Sequence, residues 1–280
     1  KLSGFLGREG FFFIADEQRV ARYRRRPVFC NGQRCDFSYR SPSEAQPVDL
    51  ILFAVKAGGL ADAIETARPF VGPQTVLISV LNGITSEEML AEAFGAEKVI
   101  WCVAEAMDAV YSDGQLQYTN IGRLALGNRD GRTSPQLEAL AALLKAAGIP
   151  YEISDQILLR QWGKLMLNTG VNQVTAVFDL NYGGVQKPGR PREMMIGAMR
   201  EVAQVAQKEG IPLSEEDIPA WVALPDRLDA ENTTSMCQDV RAGRRTEKEL
   251  FSGTICRLGR KHGVATPIND ELYRRLTELE

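Results

Sequence analysis

The chain has 280 residues, of which 44% are apolar and 25% charged, and its formal net charge is −3. This composition is ordinary for a globular protein with a full hydrophobic core. It includes no basic stripe of the kind that binds nucleic acid. The apolar runs, such as those at 11–15 and 50–55, are far too short to cross a bilayer.

Cysteine and histidine usage argues against a metal centre. The five cysteines form no C-x-x-C pair, and His262 is the single histidine. Reduced thiols in the cytoplasm explain this pattern better than disulfides or zinc ligands do. Since no export signal is visible, we expect a cytoplasmic protein with no metal, no nucleic-acid partner and no membrane partner.

Short apolar segments alternate with helices in the first half of the chain. Such continuous apolar strands are typical of a parallel sheet covered by helices on both faces. We predict strands at 11–15, 50–55, 75–81, 98–103 and 151–153, helices at 18–26, 60–67, 86–94 and 135–147, and hairpins at 28–39 and 115–126.

The second half has helical patterns only. Helices are predicted at 156–179, 192–209, 215–228, 235–241, 246–262 and 269–279. We therefore expect an α/β domain, residues 1–154, followed by an all-helical domain, residues 155–280.

Polar residues follow three of the predicted strands. Asp16 comes after FFFIA, Lys56 after LILFAV and Asn82 after TVLISVL. In open parallel sheets, ligands bind outside the carboxyl ends of the strands, and an Asp after the second strand of a dinucleotide-binding unit accepts ribose hydroxyls. Each residue alone also suits a cap or a turn, the Asn82-Gly83 pair in particular. Together they predict a nucleotide site.

The glycine loop that such a site needs is not evident. A dinucleotide fold uses G-x-G-x-x-G after its first strand to bring the backbone close to the pyrophosphate. The chain opens KLSGFLGREG, where the glycine spacing does not match and no strand precedes. Two explanations stay open: the chain lacks its true amino terminus, with 2–6 the tail of the missing first helix, or the unit has lost its first strand and loop.

The segment WGKLMLNTGVNQVTA, at 162–176, combines polar and apolar residues at helical spacing. Lys164, Asn168 and Asn172 stand four residues apart, so they project from one face of a helix. An ammonium and two amides among apolar residues are costly unless a ligand or a network satisfies them. A snorkelling lysine with amides bonded to the backbone is the structural alternative.

A second polar cluster, NTTSMCQDVRAGRRTEKELFSG, covers 232–253. Ser235 is well placed to cap the helix SMCQDV, with Gln238 completing a capping box. Glu247 is expected to open the next helix, where a carboxylate suits the helix dipole. On local grounds, capping explains both Ser235 and Glu247, and contact with a ligand is the alternative.

With these motifs in view, the chain resembles the ketopantoate reductase (2-dehydropantoate 2-reductase) family. The resemblance rests on FAVKAGGLADAI (53–64), LNG (81–83), WGKLMLNTGVNQ (162–173), NTTSMCQDVRAGRRTE (232–247) and the turn HGVATPIN (262–269). It covers nearly the whole chain. It implies a Rossmann-like parallel-sheet domain, here without its first strand and glycine loop, followed by an all-helical C-terminal domain, with the site in the cleft.

The resemblance also implies residue roles. Lys164 matches the general acid at the substrate carbonyl, and Glu247 matches the residue that supports it. Four positions match residues that hold the substrate: Asn168, Asn172, Asn232 and Ser235. Two positions match residues near the nicotinamide: Lys56 and Asn82. The implied reaction is the NAD(P)H-dependent reduction of 2-dehydropantoate to pantoate, on the route to pantothenate and coenzyme A.

The cofactor stays open between two nicotinamide dinucleotides. The family implies NADP(H), but Asp16 stands where NADP-dependent members typically carry an arginine. A carboxylate there repels a 2′-phosphate and favours NAD(H), whereas Arg19 could reach a 2′-phosphate.

The alternative functions are a related dehydrogenase for another 2-keto or 3-hydroxy acid and a non-catalytic nucleotide-binding homologue. The expected partner is a small 2-keto acid, and the chain could form a homodimer.

Overall fold

A computed structural model describes the backbone of residues 1–280 and every side chain except that of residue 112. Its internal contacts divide the chain into two compact units. The first unit consists of Lys1–Leu81 and Thr85–Ile157, and the second of Asn82–Ile84 and Leu158–Glu280. No helix among the residues described is long and apolar enough to span a bilayer.

The first unit contains the strands and five helices. Its strands are β1 (Phe12–Ile14), β2 (Val28–Cys30), β3 (Gln33–Cys35), β4 (Ser38–Arg40), β5 (Val48–Phe53), β6 (Val71–Ser79), β7 (Val99–Met107), β8 (Val110–Ser112), β9 (Gln115–Gln117), β10 (Ile121–Gly127) and β11 (Tyr151–Ile153). Its helices are α1 (Leu2–Gly10), α2 (Glu17–Tyr23), α3 (Leu60–Ala67), α4 (Ser86–Phe94) and α5 (Pro135–Ala146).

The central sheet has the strand order β11-β10-β7-β6-β5. Strands β5, β6 and β7 are mutually parallel, with α3 and α4 as the crossover helices, as the apolar pattern predicts. Strand β10 runs antiparallel to β7 and parallel to β11. The predicted hairpin at 115–126 is wrong, because β9 pairs with β8 and β2 in a separate four-stranded sheet while β10 enters the central one. Four consecutive buried residues in β10 explain its place in the core.

The hairpin predicted around Asn31-Gly32 is confirmed. Strands β2 and β3 pair antiparallel across this turn, in which Asn31 has φ 47° and Gly32 has φ 78°. Positive φ at both central residues is the backbone that a two-residue hairpin turn needs, and Asn-Gly adopts it at low cost.

Strand β1 is less buried than its apolar sequence predicts. It pairs only with β4, in a two-stranded parallel sheet, and Phe13 is 42% exposed. A strand of this type is fully buried only when neighbours cover both faces. Here Phe13 instead packs against the rings of Phe37 and Tyr39, with centroid distances of 5.0 and 5.7 Å. Helix α1 precedes β1 and bends at Gly7, whose φ is 69°.

One face of the central sheet packs on α5. Leu137, Leu140 and Leu144 of this helix stand at intervals that share one helix face, and they meet apolar side chains of β6, β7 and β10. Full burial of each leucine contributes about 1.5–3 kcal/mol, so this layer is a principal source of stability for the first unit.

Among the residues described, the second unit contains helices and loops but no strand. Its helices are α6 (Ile157–Leu167), α7 (Gln173–Phe178), α8 (Gly183–Gln186), α9 (Arg190–Lys208), α10 (Ile218–Asp226), α11 (Ser235–Arg241), α12 (Thr254–His262) and α13 (Pro267–Leu279), with π-helical segments at Asn168–Asn172 and Glu249–Gly253. We call these two the first and second π segments. Helix α6, which begins at the last residue of the first unit, the first π segment and α7 replace the single predicted helix at 156–179.

Helix α9 is the buried centre of the second unit. It contacts the first π segment, α7, α12 and α13. The Glu201 carboxylate, 6% exposed as a residue, accepts hydrogen bonds from the backbone N–H groups of Ile268 (2.8 Å) and Asn269 (2.9 Å). These N–H groups lie in the first turn of α13 and have no partner within their own helix, so Glu201 attaches α13 to the centre of the unit.

Candidate active site

Lys164, Asn168 and Asn172 form one row on the helix that opens the second unit. Lys164 lies in the last turn of α6, and the two asparagines begin and end the first π segment. All three residues are half-buried, whereas the residues between the two asparagines, Thr169, Gly170 and Val171, are buried. The row therefore lies on the partly accessible side of this helix.

The π segment straightens this row. Each residue of an α-helix turns about 100°, so a step of four residues overshoots a full turn by about 40°. A π turn takes more residues than an α turn, because its hydrogen bonds span five residues instead of four. The step from Asn168 to Asn172 therefore falls short of a full turn and offsets the drift between Lys164 and Asn168. Three polar side chains that would fan out on a regular α-helix are kept in line.

A buried pair of hydroxyls connects the first π segment to α11. The Thr175 hydroxyl donates to the carbonyls of Val171 (2.9 Å) and Asn172 (3.1 Å), and its oxygen lies 2.8 Å from the Thr234 hydroxyl oxygen. Since the Thr175 hydrogen points to these carbonyls, the Thr234 hydroxyl is the donor between the two threonines. The Thr234 oxygen in turn accepts from the Cys237 backbone N–H at 3.3 Å.

The capping role predicted for Ser235 is wrong. Thr234 is the N-cap of α11, and Ser235 is the exposed first residue of that helix. Capping therefore does not explain the serine hydroxyl, which is left available for a ligand. Neighbouring Asn232 is exposed, and its backbone carbonyl accepts from the Tyr182 N–H at 2.9 Å. Burial raises the pKa of Tyr182, which keeps this phenol neutral.

Glu247 lies ahead of the helix that it was expected to open. The second π segment begins at Glu249, and the Glu247 carboxylate accepts a hydrogen bond from Asn82 Nδ2 at 2.9 Å. Asn82 is 165 positions away from Glu247 in the chain and belongs to the second unit. The next residue, Gly83, has φ 91° and would place a Cβ 3.4 Å from Leu250, so glycine permits this close turn.

One carboxylate binds the residues on both sides of Glu247. Glu280 accepts hydrogen bonds from the Thr246 N–H (2.8 Å) and hydroxyl (2.6 Å), and it forms a largely buried ion pair with Lys248. Glu247 is thus held between two restrained neighbours.

Asp16 and Lys56 belong to the first unit. Asp16 follows β1, where its carboxylate accepts from the Arg19 N–H at 2.8 Å and pairs with the Arg19 guanidinium at 3.2 Å. The capping alternative for Asp16 is therefore realised, as the N-cap of α2. Lys56 is exposed after β5 and precedes a short 3₁₀ turn, Ala57–Gly59, whose Gly59 N–H donates to the Lys56 carbonyl.

Acidic and basic groups meet in a surface depression around Asp16. The depression is lined by Asp16, Glu17, Gln18, Arg19 and Arg22. A carboxylate can accept hydrogen bonds from the ribose hydroxyls of an adenosine, and a guanidinium can bind a phosphate on that ribose. These residues fit the adenosine end of a dinucleotide. The glycine loop for its pyrophosphate is not found among the 280 residues.

Across the side chains that the structure describes, no three His, Cys, Asp or Glu residues are arranged to hold a metal ion. The predicted site residues of the second unit carry an ammonium, amides, a hydroxyl and a carboxylate.

Fold and side chains together define a class of enzyme: oxidoreductases that join a nucleotide-binding α/β unit to a helical unit. Two family models then match most of the chain. "Ketopantoate reductase PanE/ApbA" covers residues 7–131, and "Ketopantoate reductase PanE/ApbA C terminal" covers residues 156–280. The chain belongs to the ketopantoate reductase family, as its motifs predicted, and the predicted fold class and enzyme class are confirmed.

Individual relatives agree with this assignment. A 2-dehydropantoate 2-reductase from Archaeoglobus fulgidus is 30% identical over 239 residues, which cover 85% of this chain and 79% of that protein. The crystal structure of a 2-dehydropantoate 2-reductase from Geobacter metallireducens GS-15 is 26% identical with a TM-score of 0.84, covering 100% of this chain and 95% of that one. A ternary structure of D-mandelate dehydrogenase with NADH and anilino(oxo)acetate shares the fold, at 24% identity and a TM-score of 0.83, over 99% of this chain and 93% of that one.

Proposed function

We propose that this protein reduces the C2 ketone of 2-dehydropantoate to the alcohol of pantoate, with a nicotinamide dinucleotide as the reductant. The observation that carries the proposal is the half-buried row of Lys164, Asn168 and Asn172, which a π segment interrupts. Buried hydrogen bonds tie this row to the helix that begins with Ser235, and its π segment contacts the segment that follows Glu247. Membership in the ketopantoate reductase family supports the same reaction.

Lys164 is the proton donor in this proposal. A reduced nicotinamide, when bound, supplies the hydride. As the ketone carbon becomes tetrahedral, negative charge builds on its oxygen, and an ammonium within hydrogen-bond distance stabilises that charge and delivers the proton. In this proposal the Glu247 carboxylate supports the lysine, and the hydrogen bond from Asn82 Nδ2 fixes the position of that carboxylate.

The remaining polar groups hold the substrate. A 2-keto acid with a hydroxyl group presents one donor and several acceptors, and amide and hydroxyl side chains match both kinds of group. We assign this role to Asn168, Asn172, Asn232 and Ser235. The exposure of Ser235, and the capping of its helix by Thr234 instead, support its assignment.

Cofactor binding is assigned to Asp16, Lys56 and Asn82, the last two on the nicotinamide side. NADP(H) follows from the family, whereas the Asp16 carboxylate favours NAD(H) because it repels a 2′-phosphate. We expect Asp16→Arg to raise the ratio of kcat/KM with NADPH to kcat/KM with NADH, because it replaces repulsion by attraction. Glu138→Arg makes the same change of charge at an exposed position of α5, away from this depression, and is the control. An unmoved ratio in Asp16→Arg would mean that Asp16 does not face the ribose.

The function is tested by nicotinamide absorbance with both cofactors and a panel of 2-keto acids. Ketopantoate is expected to be the preferred substrate, and Lys164→Met to lower kcat by about 10²- to 10⁴-fold, the usual contribution of a general acid. Lys208→Met removes an exposed lysine from the same unit and should leave kcat unchanged. Full turnover in Lys164→Met would refute the role of the lysine.

A second substrate class is supported by the fold shared with D-mandelate dehydrogenase. An aromatic 2-keto acid therefore belongs in the panel. A preference for phenylglyoxylate over ketopantoate would identify the chain as a dehydrogenase for a different 2-keto acid, with the same lysine chemistry.

A further inference from the structure

One buried glutamine connects the two π segments. Gln173 is 0% exposed, and both ends of its side-chain amide are bonded. Its Nε2 donates to the Thr169 carbonyl at 2.9 Å, and its Oε1 accepts from the Ser252 backbone N–H at 3.2 Å. Thr169 lies in the first π segment and Ser252 in the second.

Both backbone partners of Gln173 are displaced from ordinary α-helical bonding. In an α-helix the Thr169 carbonyl would accept a hydrogen bond from the Gln173 backbone N–H. Here that N–H donates to the Gly170 carbonyl instead. The Ser252 N–H would likewise donate to the Lys248 carbonyl, which here accepts from the N–H groups on either side of Ser252. The glutamine amide therefore joins an acceptor displaced in one π segment to a donor displaced in the other.

We propose that Gln173 is a positioning residue, which couples the segment bearing Asn168 and Asn172 to the segment that follows Glu247. It is too buried to touch a substrate, so it acts through the backbones that it joins. Without this link, each π segment loses a partner for a displaced backbone group, and the amides can move relative to the carboxylate. This inference rests on the proposed function for its kinetic consequence and on the hydrogen bonds alone for the coupling.

The coupling is tested without substrate by hydrogen exchange in Gln173→Met. Methionine has nearly the same length and lacks both polar atoms, so amide exchange should accelerate in peptides covering 168–173 and 249–253 together. Gln204→Met, at an exposed position of α9, is the matched control and should change neither. Unchanged exchange in 249–253 in folded Gln173→Met overturns the coupling.

The positioning role is tested by kinetics and pH in two variants. Gln173→Met should lower kcat by about 10- to 100-fold, the usual consequence of a small misplacement of reacting groups. Gln173→Glu keeps the acceptor for Ser252 but, when ionised, has no donor for Thr169. Protonation restores an O–H donor, so its kcat should recover as pH falls, while neither wild-type protein nor Gln173→Met shows that recovery.

The outcomes separate this inference from the proposed function. Wild-type kcat in both folded variants overturns the positioning role, whatever happens to stability. If Gln173→Met does not fold, the pH recovery of Gln173→Glu decides, and its absence overturns the role. A wild-type protein that reduces no 2-keto acid refutes the proposed function, and the exchange measurement then supports or overturns the coupling by itself.

Discussion

Thr175→Val is expected to destabilise the second unit by about 2–4 kcal/mol. Thr175 is 0% and Thr234 1% exposed, and valine has nearly the shape of threonine, so the change removes a hydroxyl and creates little cavity. Two consequences add. The Val171 and Asn172 carbonyls lose a shared donor, and the Thr234 hydroxyl is left buried without its acceptor. A net hydrogen bond contributes about 1 kcal/mol, and a stranded buried polar group costs about 1–3 kcal/mol.

The assay is urea unfolding followed by tryptophan fluorescence with linear extrapolation. Trp162 and Trp221 report the second unit and Trp101 the first, so the transition of the second unit should shift. Thr277→Val is the matched control, because the Thr277 hydroxyl makes a similar bond to a helix carbonyl, that of Tyr273 (2.8 Å), at an exposed site. We expect the control to cost less than about 0.5 kcal/mol. Equal costs for the two variants would refute the claim that the buried hydroxyl pair stabilises the π segment.

Two further predictions concern packing and pH. Gly163→Ala should destabilise by about 1–3 kcal/mol and lower turnover, because its Cβ would lie 2.0 Å from Trp221 Cζ2 and would shift the helix that carries Lys164. Hydrogen bonds from Lys261 and His262 hold the pKa of Glu209 below its ordinary value. The ionised carboxylate therefore stabilises the fold above the pKa that Glu209 has in the unfolded chain, and this stability is lost as pH falls through the pKa in the folded protein. We expect Glu209→Gln to cost about 1 kcal/mol at pH 7 and to flatten the acid side of the pH–stability curve.

Controls for these variants come from the same chain. Gly4→Ala places a Cβ in open space on α1 and should be neutral or slightly stabilising by thermal unfolding. Glu193→Gln removes an exposed carboxylate from α9, the helix that Glu209 follows, and should keep the acid slope of the wild type. A Glu209→Gln curve parallel to that of the wild type from pH 3 to 7 would contradict the linkage argument.

Much of the architecture could be read from local patterns. Short apolar strands between helices predicted the parallel core of β5, β6 and β7, because burial on both faces requires that composition. The antiparallel β10 and the exposed Phe13 could not be predicted, because neighbours distant in the chain decide which strands pair and which faces are covered. Local patterns report a residue's own preference and leave the partner undetermined.

The candidate site divides in the same way. The spacing of Lys164, Asn168 and Asn172 was enough to predict a shared helix face, and family motifs assigned roles that stay predictions. Sequence reasoning missed the two π segments and the side chains that sustain them. The polar residues of NQVTAV, which lie among apolar ones, were visible in the sequence. Which groups they bond depends on residues elsewhere in the chain.

What the sequence by itself determined is the alternation of apolar strands and helices in the parallel core, the family and the helix face that carries the lysine. The tertiary structure decided that Thr234 rather than Ser235 caps α11, and that Asn82 meets Glu247 across 165 positions. It also decided that the lysine-bearing helix widens into a π turn at Asn168. The physical reason is that a π turn displaces backbone hydrogen bonds, and side chains such as Gln173 and Thr175 must bond the displaced groups. These side chains in turn need partners that are distant in the chain, here Ser252 and Thr234.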